Sequence, residues 1–213
     1  MRPKWSCLLR RIPLSRRSHI IGFQPLATGI ADHESLLERD FVTLTSFLHP
    51  DASIRAQPVT LSFRDGVKAR RYTPDFHVSG LLTTSELVEV KYQADLQAQW
   101  RRLDPAFAAA RAWARGHGAM FRIATERDIR GPRLENAKRL LPLRRVPLDE
   151  EMAELVLAAS RSLDEPTFGT VLAALPAIRR CAVLATLWRL IAHGALQVDY
   201  SAPITLDTPV SQL

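Results

Sequence analysis

The chain has 213 residues, 46% of them hydrophobic and 24% charged, with a net charge of +7. That is length for one generous domain or two small ones, and the composition is globular, which excludes disorder or low complexity over most of the chain. No apolar run approaches the roughly 18 residues a membrane helix needs: the strip from Cys181 to Trp188 stops at Arg189, so no membrane partner is expected. Two cysteines, Cys7 and Cys181, are too few for a disulfide framework or a zinc site. A reducing compartment is expected.

The charge is uneven. Residues 1–145 hold 25 basic and 14 acidic side chains, whereas residues 146–213 hold 4 and 8. Basic surface gains affinity for polyanions by releasing counterions from phosphates, so the first part suits nucleic acid and the last 68 residues do not.

Residues 1–30 precede the first acid, Asp32, and carry Arg10, Arg11, Arg16 and Arg17 among Trp5, Pro3 and Pro13. Three readings fit this composition: a basic arm lying along DNA, a solvated terminus, and an organellar transit peptide. A helix is expected from an Asp32 N-cap to about Leu48, where His49-Pro50 ends it, with Leu36, Leu37, Phe41, Leu44 and Leu48 as its apolar stripe. Glu34 and Glu38 lie one turn apart at the edge of that stripe.

Alternating Val59, Leu61 and Phe63 predict a strand, and Arg64-Asp65-Gly66 a hairpin turn. A second strand is expected through Tyr72 and Val78, and a third through Leu87, Val88 and Val90 after Ser79-Gly80. A helical pattern runs from about Ala94 to Ala114 with a break at Pro105, and a strand from Met120 to Ala124 follows. This order predicts an α/β domain over residues 31–130, a mixed sheet flanked by helices. A basic connector is expected over 131–145. Residues 146–213 then read as three helices and two short extended pieces, the order of a winged-helix-like domain. Cys181 and the tryptophans 100, 113 and 188 are expected in cores.

Asp75, in Tyr72-Thr73-Pro74-Asp75-Phe76, is followed fourteen positions later by Glu89-Val90-Lys91. Period-two alternation sends Glu89 and Lys91 to one face and Val90 to the other. If Asp75 faces them from the adjacent strand, two carboxylates converge beside one ammonium, a hard-oxygen set suited to magnesium or manganese. The plainer alternative is ordinary strand-end charge. His77 shares a face with Asp75 and is a candidate phosphate contact, a structural histidine being the alternative.

These residues resemble the Pro-Asp…Asp/Glu-x-Lys nuclease superfamily, and within it the TnsA-type endonuclease subunit of heteromeric TnsA–TnsB transposases. The resemblance runs from His33 to Phe41, Ile54 to Pro58, Tyr72 to Phe76, Val88 to Tyr92 and Phe121 to Ile129, with a further likeness from Leu190 to Val210. It implies a restriction-endonuclease-like fold and a magnesium site, with manganese able to substitute. Asp75 and Glu89 become metal ligands with the Val90 carbonyl, Lys91 the catalytic lysine, and Glu38 the helix glutamate, with Glu34 as its fallback. Gln57 recurs near the site in the family pattern. Arg10, Arg11, Arg16, Arg17, Arg70 and Arg71 are the expected DNA contacts.

The activity implied is cleavage of the 5′, non-transferred strand at transposon ends in cut-and-paste transposition. The partners implied are transposon-end DNA, a TnsB-type transposase and a TnsC-type AAA+ ATPase, the proteins docking through residues 146–213. The location implied is the bacterial cytoplasm, on the nucleoid. Two rival readings remain: a standalone restriction or repair nuclease, and a non-catalytic DNA-binding assembly module with the same fold.

Overall fold

A computed structural model describes residues 22–26, 29–33 and 35–212. The expectations for Arg10, Arg11, Arg16, Arg17, Trp5, Cys7 and Glu34 fall outside these residues. Strands β1 (Gly22–Leu26) and β2 (Gly29–His33) pair antiparallel, so Asp32 belongs to a strand and not to a helix cap. The cap is Ser35: its extended backbone opens α1 (Leu36–Leu48), and its hydroxyl accepts the Glu38 N–H at 3.1 Å. A serine with glutamate three residues on is the stronger start signal, because it satisfies an otherwise orphaned N–H of the first turn.

Four strands form the central sheet: β3 (Ser53–Ala56), β6 (Phe76–Ser79), β7 (Ser85–Val90) and β8 (Ala119–Ala124), in the order β3-β6-β7-β8. β6 runs antiparallel to both its neighbours, β3 and β7, and β7 and β8 are parallel. The parallel pair is joined by α2 (Gln93–Gly116), the crossover helix such a pair requires. α2 is continuous through Pro105, where a break was expected. Beyond the proline Ala106, Phe107, Ala110 and Ala114 are buried, and this packing holds the axis on the sheet despite the missing N–H.

The single strand expected through Tyr72 and Val78 is two strands, because Thr73-Pro74-Asp75 interrupts it. Before the interruption, β4 (Leu61–Asp65) and β5 (Lys68–Tyr72) form a separate antiparallel ribbon turning at Gly66-Val67. Pro74 has no N–H for a ladder, and the break lets the ribbon leave the sheet.

Two cores flank the sheet. Leu37, Phe41 and Val42 of α1 pack with Ile54, Phe76, Val78, Val88 and Val90 on one face. Leu61, Leu87, Ala110 and Ala114, with Tyr72 and Phe121, fill the α2 face.

The stretch expected as a connector is helical: α3 (Glu126–Ile129), α4 (Pro132–Leu140) and a 3-10 turn over Leu141–Arg145. Leu134 enters the sheet core, while Ala137 and Leu140 join a third core with Phe47 of α1. The rest of that core comes from α5 (Glu150–Arg161), α6 (Phe168–Ala174), α7 (Arg180–Ala192) and the tail residues Leu196, Ile204 and Val210. Val183, Leu187, Leu190 and Ile191 bury one side of α7. The two extended pieces meet through one antiparallel bridge, Gln197 to Ser211, instead of paired strands. Cys181 is exposed, against expectation, because it sits in the first turn of α7 away from that buried side. Trp100 is likewise 43% exposed at the rim of the α2 core, one edge against Phe107. Among the described residues no helix is long and apolar enough to cross a membrane.

Candidate active site

The sheet register brings the chemistry-bearing residues to one end of the sheet. Phe76 pairs with Val88 and Ala56 with Phe76. One step further along the same registers, Gln57, Asp75 and Glu89 lie side by side across β3, β6 and β7. Phe76 and Val88 point into the α1 core, so Asp75 and Glu89 share the opposite face, and Lys91 follows Glu89 by alternation. Thus Asp75, Glu89 and Lys91 converge.

Backbone bonds hold this row in place. The Gln57 N–H donates to the Asp75 carbonyl at 2.7 Å, and the Val90 N–H donates to Asp75 Oδ2 at 2.7 Å. Gln57 achieves this with a left-handed backbone, φ 45°, unusual for a non-glycine residue. The Lys91 N–H donates to the Ala124 carbonyl at 3.0 Å, tying the lysine to β8.

Glu89 is 4% exposed. Its Oε2 accepts the Tyr72 hydroxyl at 2.6 Å and its Oε1 meets Lys91 Nζ at 2.9 Å. Tyr72 lies edge-on to the fully buried Phe107 of α2, with ring centroids 6.0 Å apart. This aromatic wall excludes water from one side of the carboxylate. Tyr72 is the functional residue that sequence reasoning missed, although it opens the Tyr-Thr-Pro-Asp-Phe segment; its role depends on the fold of the strand before the break.

Charge crowding follows from this geometry. Burial, then the Glu89 and Glu38 charges, push the Asp75 carboxyl well above the usual carboxylate range, against the Val90 N–H and Lys91. Burial opposes charging of Lys91, but Glu89, Asp75 and Glu38 together outweigh it and raise its pKa. Burial and Glu89 raise the Tyr72 hydroxyl too. Glu38 of α1 is therefore electrostatically part of the site. His77 is also on this face, opposite Arg55 and Leu87; burial and the Arg55 charge lower its pKa and favour the neutral ring.

Beyond Lys91, Tyr92 caps α2 and takes a hydrogen bond from Arg130 at 2.9 Å, the guanidinium also stacking over its ring. Arg130, Lys138 and Arg39 surround the buried Asp40 at 3.4–3.6 Å, linking α1 to the α3–α4 elbow beside the site. Of the expected DNA contacts, Arg71 is exposed on β5 and Arg70 is ion-paired with Asp65 at 2.8 Å. A separate concavity of about 440 Å³ lies on the α1 side, lined by Phe41, Leu44, Leu81, Glu86 and Arg122 among others, and touches none of the site carboxylates.

Among the described residues no group of three His, Cys, Asp or Glu side chains forms a ready-made metal centre. The donors nevertheless suit a hard divalent cation. Asp75 and Glu89 are adjacent oxygen donors, and burial followed by the Glu89 charge is what raises Asp75. Zinc, which favours nitrogen and sulfur donors, finds none in the carboxylate pair.

No curated protein matches the chain. Residues 52–126, about a third of the chain, match the family model described as TnsA-like endonuclease N terminal. That span holds the ribbon, Asp75, Glu89, Lys91, all of α2 and β8, and over it the chain is similar to the N-terminal domain of TnsA-like endonucleases.

Proposed function

We propose that this protein is the DNA-nicking subunit of a cut-and-paste transposase, a magnesium-dependent endonuclease that cleaves the 5′, non-transferred strand at transposon ends. The observation that carries the reading is the meeting of Asp75, Glu89 and Lys91 across β6 and β7, with the charge of Glu38 reaching both Asp75 and Lys91. Asp75 and Glu89 would hold the cation, with Glu38 and the Val90 carbonyl as further oxygen donors. An extended residue sends its N–H and C=O to the same edge of the strand, and the Val90 N–H already faces Asp75. When bound, the cation supplies positive charge for the scissile phosphate and polarises the attacking water.

The chain's own groups do the positioning. Tyr72, kept protonated, donates to one oxygen of Glu89 and fixes its orientation. Lys91 has a raised pKa and stays an ammonium, so it is no general base. It orients water as a donor and neutralises charge growing on a non-bridging phosphate oxygen. Water adds to phosphorus, the P–O3′ bond breaks, and a proton goes to the departing oxygen, leaving a 5′-phosphate and a 3′-hydroxyl.

The acidic surplus of residues 146–213, 4 basic against 8 acidic side chains, supports docking to proteins there, a TnsB-type transposase and a TnsC-type ATPase, with DNA left to the basic part. In this reading the protein works in the bacterial cytoplasm, on the nucleoid.

Manganese titration calorimetry tests the core of the proposal. Wild-type protein should bind the ion and Asp75→Asn should not. Equal binding by both proteins would remove Asp75 from the metal site and the reading with it.

A further inference from the structure

The β4–β5 ribbon pairs with no other strand among the described residues, and its six residues from Gly66 to Arg71 are all exposed. Its two faces differ. Leu61 and Tyr72, cross-strand partners, pack into the α2 core, so the face they share with Phe63, Asp65, Lys68 and Arg70 is turned inward at its root. There Arg70 is neutralised by Asp65.

The outward face carries Ser62, Arg64, Ala69 and Arg71. Arg64 pairs with Ala69, and Arg71 with Ser62. Each arginine therefore stands opposite a small residue, uncrowded and without a like charge directly across the ladder. Neither makes an ion pair among the described residues. The ribbon holds Arg64, Lys68, Arg70 and Arg71 against Asp65 alone. Its root is tied to the site: Thr60 and Thr73 hydroxyls bond at 2.8 Å, and Tyr72, its last residue, donates to Glu89.

We propose that this ribbon is an arm that lies against duplex DNA beside the strand to be cut, with Arg64 and Arg71 as its phosphate-contacting pair. The proposal rests on the nuclease reading for its location and names the surface through which the site meets its polyanion. Two-stranded ribbons fit a DNA groove, and arginines on one face reach phosphates or base edges from it. A cationic ribbon rooted on a metal-ligating glutamate places the backbone it grips next to the carboxylates. Arg64, absent from the sequence-based list of contacts, takes the place that Arg70 had there.

The test uses full-length protein and a fluorescently labelled duplex, with anisotropy measured over a range of salt concentrations. The double variant Arg64→Ala/Arg71→Ala should lower the slope of log K against log salt by about 2 and weaken binding on the order of tenfold at low salt. Arg70→Ala should leave the slope unchanged, and Arg64→Lys/Arg71→Lys should restore it. An unchanged slope in the double alanine variant overturns the proposal. So does unchanged DNA binding combined with lost association to a partner protein, which would make the ribbon a protein-docking element. Manganese titration of the same variants keeps the two readings apart. Loss of DNA affinity with no metal binding even in the wild type would sink the nuclease reading and leave the ribbon's DNA contact standing.

Discussion

Asp75 and Lys91 answer the same crowd of charges, and both are raised: the carboxyl because burial and neighbouring anions penalise its charge, the ammonium because those anions reward its own. The consequence for metal binding has a definite sign. A cation binds the ionised carboxylate, so it must displace a proton that Asp75 holds more tightly than an ordinary aspartate does. Manganese affinity should therefore rise with pH above the usual carboxylate range and be lost as pH falls through the raised value. Calorimetry across pH checks this; affinity that stays flat down to about pH 5, near the ordinary carboxylate range, would contradict it.

Under the proposed function, Lys91→Ala should leave manganese binding in place and abolish nicking of end-labelled transposon DNA in the assembled transposase. Retained nicking would remove Lys91 from the mechanism. At this scale the sequence was informative: Asp75, Glu89 and Lys91 could be read as one site, because strand alternation is a local property. Tyr72 could not, since its partner is seventeen residues away and reached only once the chain has left the ribbon.

The elements show where local signals compete. Ser35 outranks Asp32 as a cap because a strand already claims Asp32. Pro105 does not break α2 because packing on the sheet outweighs a local penalty. Arg144 is a third case, a residue that reads only as part of a basic stretch. Its guanidinium donates to the carbonyls of Ser46 at 3.3 Å and Phe47 at 2.9 Å, and to Ala192 at 3.3 Å, while lying 4.9 Å from the Phe47 ring centroid. It thereby supplies the C-terminal ends of α1 and α7 with one cation, where the last-turn carbonyls lack helical donors. Arg144→Ala should cost on the order of 2 kcal/mol. In a chain of this size that is about 5 °C in thermal midpoint by scanning calorimetry, and Arg144→Lys should recover only part of it because a single ammonium cannot fork to both helices.

On the scale of the whole molecule, charge and packing divide the chain differently. Charge separates residues 1–145 from the acidic remainder. Packing does not: Phe47, Ala137 and Leu140 belong to the same core as α5, α6 and α7. Asn136 crosses the same boundary, donating to the carbonyls of Tyr200 at 3.1 Å and Ala202 at 2.8 Å. A chain ending at residue 145 should therefore bare Phe47 and Leu140, each about 2 kcal/mol of lost burial, and melt well below the full-length protein or aggregate. A truncated chain with an unchanged melting profile would show that the two parts fold independently.

Composition and pattern alone determined a globular basic protein, the helix and strand types around the sheet, and a carboxylate–lysine constellation on neighbouring strands, because amphipathic period and turn chemistry act over a few residues. Tertiary structure decided the rest. It split the strand at Pro74 and released the ribbon. It placed Tyr72 and Phe107 behind Glu89, and merged the helical connector into two cores. Those outcomes depend on contacts between residues far apart in the chain, where the energy of burying one surface against another overrides what each segment prefers by itself.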